Sequence, residues 1–301
     1  MVNFTPTGES VIVKSKPVAV WALDLSSDRI EVTDNKKLQE VLNRVCGTAF
    51  VKRLTLSGLP ISGSALFGRE VRKLPVIKQL RRSVELLDLS RTDCTATLFR
   101  LLPDFSNLRR LVCDECPKLH LLNVEKHEKL EEVSILGSNV MPQALVTFLK
   151  TFPALNRLDC TINLSDMVPL GLMHRHGLKH PVVTVRYGHV TTASKEEFLP
   201  LFTLAVRLQK LDGVWKAFLL DVEKKPILGD GQMWMHKQCR QFFQSPKEEC
   251  PACQVKAVQE DFQYVDLLLD SSLDLDRDFA LLPERAPYDL VRRSQFIFNG
   301  K

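Results

Sequence analysis

The sequence contains no long run of apolar residues, which bears on where the protein can reside. No stretch reaches the roughly 18 consecutive apolar residues that a membrane-spanning helix requires. Residues 1–16 also lack the basic and then apolar order that is typical of a secretory signal. We therefore expect a cytoplasmic protein without a membrane span.

Motifs that mark several common enzyme classes are absent. The sequence has no glycine-rich phosphate loop, no Gly-x-Ser-x-Gly nucleophile motif and no His-Glu-x-x-His zinc motif. His174, His176 and His180 lie close together, but a polar loop or helix face explains them more simply than a metal site. The sequence thus argues against nucleotide-dependent, serine-hydrolase and metalloprotease chemistry.

A concentration of charge is also missing. The 41 basic and 36 acidic residues give a formal net charge of +5, and the two signs alternate along the chain. Nucleic-acid-binding domains usually cluster their basic residues in a patch or stripe, so no nucleic-acid partner is predicted. The 45% apolar and 26% charged residues are typical of globular proteins, and 301 residues suffice for two domains.

What the sequence does contain is a repeated pattern in its first two-thirds. In this pattern, an apolar residue is followed by further apolar residues three and five positions later. The pattern occurs in six copies, which begin at Val20, Val51, Val84, Leu108, Leu130 and Leu155. The central apolar residues, from Leu23 to Leu158, are separated by 31, 33, 24, 22 and 25 residues. The segment from Val183 to Val185 offers a further copy. These periods, with one short strand signal each, resemble leucine-rich repeats of irregular length.

Such repeats predict an α/β solenoid with short parallel strands. The alternating apolar residues of one strand cannot be buried by a single repeat, so stacked repeats share a core. Apolar residues at helical spacing in 97–102 and 145–152 predict helices on the convex side. We expect this domain, with an N-terminal cap, to cover residues 1–190.

The outward strand residues of this solenoid would line a shallow concave face. Their mixed charge suits recognition of a protein surface, whereas a small-molecule site needs a deep and mostly apolar pocket. The residues that we predict to contact a protein substrate are Arg53, Asp88, Arg110, Val112, Glu132, Ser134, Arg157 and Asp159. The simpler alternative is that each is only a solvated strand residue.

Eight cysteines in a chain without a secretion signal favour free thiols or metal ligands over disulfides. Cys113 and Cys116 have metal-ligand spacing, but Cys113 occupies a core position of its repeat. Cys116 occupies a position at which such repeats bond the turn backbone, as Thr92, Ser138 and Asn163 do in other copies. We predict structural roles for both cysteines.

The C-terminal third carries a second constellation. The segment from Pro226 to Phe243 contains His236 and Cys239, and the knuckle Cys250-Pro-Ala-Cys253 follows it. This region resembles the RING and U-box families, which recruit ubiquitin-charged E2 enzymes. The resemblance implies a small α+β domain over residues 214–260, with a central helix that begins at Cys239.

By position, the resemblance also implies a surface that contacts an E2 enzyme. It would comprise apolar residues of the first loop and the strand after it, a large residue of the central helix and the proline of the second loop, namely Leu219, Leu220, Ile227, Phe242 and Pro251. A ligase of this kind holds the E2–ubiquitin thioester in a reactive arrangement and supplies no nucleophile. The resemblance therefore predicts an E3 ubiquitin ligase whose repeats select the substrate. Such proteins occur in eukaryotes and as bacterial effectors that act in the host cytosol.

The metal ligands depart from the RING pattern. A RING holds two zinc ions with eight cross-braced ligands. The first four ligands have no counterpart here, which excludes a complete RING. A U-box has the same frame without zinc. The donors His236, Cys239, Cys250 and Cys253 could alternatively bind one tetrahedral Zn²⁺. In a RING, the His–Cys pair and the Cys–Cys pair serve different ions, so a single site requires another fold.

Two hypotheses of different classes follow. One is the ligase; the other is a non-enzymatic leucine-rich-repeat adaptor, whose C-terminal module is a folding cap or a docking unit. A ligase that carries ubiquitin on its own thiol would need a base beside Cys46, Cys94 or Cys239, and the sequence indicates none.

Residues 191–213 are predicted to form a cap or linker, which is helical from Ser194 to Leu211. Residues 261–301 form a C-terminal extension without an assigned role.

Overall fold

A computed structural model describes residues 19–46, 50–61, 66, 73–95, 97–119, 125–140, 142–163, 178–179, 183–186, 203–227, 232–239, 242–243, 245–250 and 252–269. The fold is α/β, and the chain divides into two compact units. The first comprises residues 1–138 and 148–155, and the second comprises residues 139–147 and 156–301. Within the described ranges, the helices are too short or too polar to cross a membrane.

Short parallel strands run through the first unit and coincide with the sequence repeats. They are β1 (Ala19–Asp24), β2 (Phe50–Thr55), β3 (Leu86–Asp88), β4 (Arg110–Val112) and β5 (Glu132–Val140). Each strand pairs with the next, and the register places the central apolar residues of the repeats opposite one another, in the order Leu23, Leu54, Leu87, Leu111 and Val133. The predicted strand is confirmed in these five copies.

Side-chain alternation explains why these segments form strands. Leu54 and Leu56 of the second repeat are fully buried, whereas Arg53 is exposed. Successive side chains of a strand point to opposite faces, so each repeat contributes a row of apolar residues to one core. Each fully buried leucine contributes about 1.5–3 kcal/mol relative to an exposed one.

A residue with left-handed backbone conformation occurs at the same position in four of the repeats. Gly58, Arg91, Glu115 and Gly137 have φ angles of 73°, 56°, 55° and 76°. Each lies four residues after the central apolar residue of its repeat. The N–H groups of the first three donate to a carbonyl of the next repeat at 2.6–2.8 Å. The parallel ladder thus continues into the turns, and stacking holds Arg91 and Glu115 in a conformation that non-glycine residues rarely adopt.

Replacing Gly58 by alanine is expected to destabilise the protein more than the same change at Gly213. The φ of Gly213 is 82° and nothing lies within 4 Å of an added Cβ, so Gly213→Ala carries only the left-handed strain, about 1–2 kcal/mol. At Gly58 an added Cβ would also lie 2.3 Å from Ser27 Oγ. Urea unfolding measures the loss of unfolding free energy in both variants. Adding Ser27→Gly to Gly58→Ala should remove the additional loss caused by the close approach to Ser27. Equal losses in the two variants would contradict this close approach.

Helices lie between the strands in the sequence. They are α1 (Asn35–Cys46), α2 (Pro75–Ser83), α3 (Thr97–Leu101) and α4 (Pro142–Thr151). Asp34 caps α1 by accepting the Lys37 N–H at 2.8 Å, and Pro75 suits the first turn of α2 because its missing donor would otherwise be unpaired. Helix α2 packs on β2 and α1. The helices predicted in 97–102 and 145–152 are confirmed.

The second unit contains mostly antiparallel strands. Strand β6 (Arg157–Asn163) pairs with β9 (Thr203–Leu211), which pairs with β10 (Val214–Leu219). A separate sheet has five strands, which are β7 (Leu178–Lys179), β8 (Val183–Arg186), β11 (Gln232–His236), β12 (Phe242–Phe243) and β13 (Phe262–Leu269). Their order in the sheet is β12-β11-β13-β8-β7.

The helix predicted from Ser194 to Leu211 is wrong over its described part, because Thr203–Leu211 is strand β9. The buried residues Leu204, Val206 and Leu208 follow a period of two, which the helical reading overlooked. Asp212 and Gly213, with φ angles of 51° and 82°, form the tight turn to β10. An Asp-Gly pair is a hairpin signal that the sequence does carry.

Two further predictions for this unit are wrong. The segment from Val183 to Val185 is not another repeat, because β8 pairs antiparallel with β7 and β13 in the five-stranded sheet. The central helix predicted to begin at Cys239 is not present at Phe242–Phe243, which form strand β12. Cross-strand pairing of Phe243 with Trp234 decides the conformation there.

Candidate functional site

Four side chains with metal-binding donors converge in the second unit. The donor atoms of His236, Cys239, Cys250 and Cys253 all lie within 4.8 Å of one another. His236 Nδ1 is 3.2 Å from Cys239 Sγ and 3.6 Å from Cys253 Sγ. Cys239 Sγ is 3.4 Å from Cys250 Sγ. In the described part of the chain, no other group of His, Cys, Asp and Glu residues converges in this way.

The first two donors are placed by the end of strand β11. His236 is the last residue of β11 and lies opposite Phe262 of β13. The chain then turns through 237–239, where the Lys237 N–H donates to the Asp261 carbonyl at 2.8 Å and Lys237 Nζ donates to the Glu260 carbonyl at 2.6 Å. These contacts tie the turn that carries Cys239 to the start of β13.

The last two donors lie on a tight knuckle. The Gln254 N–H donates to the Cys250 carbonyl at 2.7 Å, and the Cys250 N–H donates to the Val255 carbonyl at 2.9 Å. Gln254 has a φ of 57°, which reverses the chain within a few residues. The knuckle therefore brings Cys250 and Cys253 to the same group of donors although two residues separate them.

Apolar packing covers part of this site, whereas Cys239 and Cys253 are partly exposed. Cys250 is fully buried and His236 is 2% exposed. The surrounding cluster consists of buried and partly buried residues from β11, β12, β13 and the connecting segments, namely Val222, Trp234, Phe243, Ala257 and Phe262. The His236 ring lies 5.0 Å from the Phe262 ring. Donors held together in such surroundings would have strong electrostatic interactions with a cation.

The Cys250 thiol differs from the Cys46 thiol, which lies in the core of the first unit. Burial disfavours the Cys250 thiolate, but hydrogen bonds from the backbone N–H groups of Cys253 and Ala252 help to bring the pKa of Cys250 below its ordinary value. In contrast, burial raises the pKa of Cys46 to about 12. Since the thiolate is the form that binds metals, Cys250 is better suited to this chemistry than Cys46.

Cys113 and Cys116 lie in the core of the first unit, as predicted. Both are at most 1% exposed. The Cys116 thiol donates to the Leu89 carbonyl at 3.2 Å, and the Thr92 hydroxyl donates to the same carbonyl at 2.7 Å. The predicted bonding of the turn backbone is confirmed for these two residues. It is not confirmed for Ser138, whose buried hydroxyl has no partner among the described residues; the Asn163 side chain lies outside them.

The predicted substrate-contacting residues of the first unit lie in two adjoining rows. Arg53, Arg110 and Glu132 share one row with Leu86, because they occupy equivalent register positions on neighbouring strands. The next row contains Thr55, Asp88, Val112 and Ser134. Arg53 and Arg110 are exposed, and the other predicted residues are partly exposed. The rows form a polar strip on the face opposite the buried leucines.

Asp159, in contrast, is not a surface contact. It is 3% exposed and accepts hydrogen bonds from Arg207 Nε at 2.7 Å and Arg207 Nη2 at 2.9 Å. Arg157, which is partly exposed, donates to the same carboxylate at 2.8 Å. The prediction that Asp159 contacts a substrate is therefore wrong, since its carboxylate is already buried and paired within the second unit.

Three of the five residues assigned to an E2-contacting surface are buried in the described structure. Leu219 and Leu220 are 1% and 3% exposed, and Ile227 is also buried. Leu219 ends strand β10, and Ile227 donates its N–H to the Leu219 carbonyl at 2.7 Å. Phe242 belongs to strand β12, and Pro251 lies outside the described residues. The three buried side chains are core residues and cannot contact a partner without rearrangement.

Comparison with known proteins does not assign a family. A scan against protein-family models gives no match, and a search of curated proteins gives none either. The functional conclusions therefore rest on the geometry of the two units.

Proposed function

We propose that the protein is a non-enzymatic adaptor that binds a protein partner through a leucine-rich-repeat solenoid. The observation that carries this proposal is the continuous parallel register from β1 to β5, which aligns the central residues of five repeats. The left-handed residue that recurs at the same position in four of the repeats supports it, because stacked repeats share their backbone geometry.

The polar strip of the first unit is the proposed partner-binding surface. Arg53 is exposed, and Arg110 Nε lies 3.5 Å from Glu132 Oε2 in an exposed pair that a partner can compete for at little cost. Val112 and Leu86 add partly exposed apolar area between the charged residues. A shallow strip with arginines and a few apolar side chains suits a protein surface with acidic groups, since arginine is enriched at protein interfaces.

The ligase hypothesis has less support from the geometry. Three residues of the E2-contacting surface are buried, and the four metal-binding donors meet at one point rather than in the two separate groups of a RING. We therefore assign the second unit the role of a docking or stabilising module in an adaptor. The Cys-Pro-Ala-Cys knuckle remains as the feature shared with RING domains.

Reversing the charge of the strip is expected to weaken partner binding at least tenfold. The variant is Arg53→Glu with Arg110→Glu, and the matched control is Arg82→Glu, which changes an exposed arginine of helix α2. Partners captured by proximity labelling with the full chain would be purified, and their affinities for the three proteins measured by calorimetry. Equal affinity for the strip variant and the control would overturn the assignment of this surface.

A ubiquitination assay separates the adaptor from the ligase. The full chain would be incubated with E1, ubiquitin, ATP and a panel of E2 enzymes, beside a variant with Phe242→Ala and Pro251→Ala. An adaptor forms no ubiquitin chains in any of these reactions. Chains formed by the wild type but not by the double variant would establish a ligase instead.

A further inference from the structure

We propose that the second unit binds a single Zn²⁺ ion through His236 Nδ1 and the sulfur atoms of Cys239, Cys250 and Cys253. This proposal is independent of the adaptor function, because it rests on the second unit alone. Imidazole nitrogen and thiolate sulfur are the donors that structural zinc sites use, and four of them complete a tetrahedral site.

The separations of the donors fit one tetrahedral ion. Zn–S bonds of about 2.3 Å and Zn–N bonds of about 2.0–2.1 Å place two sulfurs about 3.8 Å apart and a nitrogen about 3.5 Å from a sulfur. His236 Nδ1 lies 3.2 Å and 3.6 Å from two of the sulfurs, and Cys239 Sγ lies 3.4 Å from Cys250 Sγ. The sulfur–sulfur distance is far from the roughly 2.05 Å of a disulfide. The donors are thus already arranged around a common centre.

The arrangement indicates one ion rather than two. The short contact between Cys239 and Cys250 joins the two donor pairs, and so does the contact between His236 and Cys253. Because all four donor atoms lie within 4.8 Å of one another, two separate ions cannot be served by them in a cross-braced manner. The zinc would connect the end of β11 to the knuckle.

The site has the features of a structural centre. Four protein donors leave no open position for water or substrate, which a catalytic zinc requires. Three thiolates around Zn²⁺ carry one net negative charge, and the backbone N–H groups of Ala252 and Cys253 are directed at the Cys250 sulfur. Hydrogen bonds of this kind orient and stabilise metal ligands. The ion would hold together a region with few buried apolar residues.

Metal analysis of the full chain tests the proposal. The reduced protein, desalted after exposure to zinc, is expected to contain one zinc per chain by inductively coupled plasma mass spectrometry. Cys239→Ser, Cys253→Ser and His236→Ala should lose it, whereas Cys46→Ala changes a buried cysteine of helix α1 and should keep it. His236→Cys should also keep one zinc, because four thiolates form a suitable site.

Cobalt provides a readout that does not depend on the variants folding. Titration of Co²⁺ into the metal-free wild-type chain should give the visible absorption of tetrahedral cobalt and a thiolate charge-transfer band, both saturating at one equivalent. Zinc should then abolish the spectrum. Saturation at two equivalents, a spectrum of octahedral cobalt, or no zinc and no cobalt bound by folded wild-type protein would each overturn the proposal. Zinc retained by folded Cys239→Ser and Cys253→Ser would also overturn it.

Discussion

Replacing Asp159 by asparagine is expected to lower the free energy of unfolding by about 3–5 kcal/mol. Asparagine keeps the size of the side chain but removes the charge that pairs with Arg207 at 2.7 and 2.9 Å. Arg207 is itself 8% exposed, so its guanidinium would remain buried without a counterion. Equilibrium urea unfolding of the full chain measures the loss.

The matched control is Asp93→Asn, which removes the same charge from an exposed pair. Asp93 lies 2.9 Å from Lys118 Nζ, and both side chains are about half exposed at 49% and 57%. A surface pair of this kind contributes about 0–1 kcal/mol. If the loss for Asp159→Asn were no larger than that for Asp93→Asn, the Asp159–Arg207 pair would not be buried in solution.

The effect of Asp159 should also depend on pH. Burial alone would raise the pKa of Asp159, but the hydrogen bonds from Arg207 and Arg157 outweigh it and hold the pKa below its ordinary value. A lowered pKa means that the stabilisation is complete above the unfolded pKa of about 3.9 and is lost as the pH falls through the folded pKa. The free energies of unfolding of the wild type and Asp159→Asn should therefore become more similar below about pH 4.

The role of Asp159 shows what a single-strand pattern cannot predict. Period-two alternation correctly placed Asp159 on the opposite side of its strand from Leu158, which is fully buried. It could not show that this side is covered, because Arg207 comes from β9, 48 residues further along the chain. Strand pairings between segments so distant in sequence leave no local signal.

The strands of the first unit could be predicted because their determinants are local. Each repeat carries its own apolar alternation, and neighbouring copies pair in the same register, as Leu54 and Leu87 do. The pattern also located Thr92 and Cys116, whose side chains bond the Leu89 carbonyl. It did not reveal the left-handed Arg91 and Glu115, since neither residue type favours that conformation.

The four candidate metal ligands could be named from the sequence, but their arrangement could not. The RING resemblance separates the pair His236 and Cys239 from the pair Cys250 and Cys253, whereas all four meet in the structure. Strand β13 helps to position them by pairing with β11, although the sequence places its residues only in an extension without a role. The spacing of cysteines therefore identified the donors, and tertiary pairing decided that they belong to one site.

Replacing Phe148 by alanine is expected to cost about 3–5 kcal/mol of folding free energy. Phe148 is fully buried in helix α4 and packs edge-to-face against Phe99 of α3, with ring centroids 5.3 Å apart. Its ring also lies 4.7 Å from Phe152. The cavity left by the deletion would lie among rigid aromatic neighbours that cannot collapse into it. Urea unfolding measures the loss. The control is Arg100→Ala, which changes an exposed residue of α3 and should stay within about 0.5 kcal/mol.

A double-mutant cycle then isolates the contact between the two helices. Phe99→Ala and Phe148→Ala should each lower the free energy of unfolding. The double variant should lower it by less than the sum of the two single losses. An edge-to-face pair contributes about 0.5–1.5 kcal/mol in addition to the free energy of burying its apolar area. This value sets the smallest coupling energy expected in the cycle. Strict additivity would mean that Phe99 and Phe148 do not touch in solution. Coupling would instead show that helices α3 and α4 pack together although more than forty residues separate the two aromatic rings.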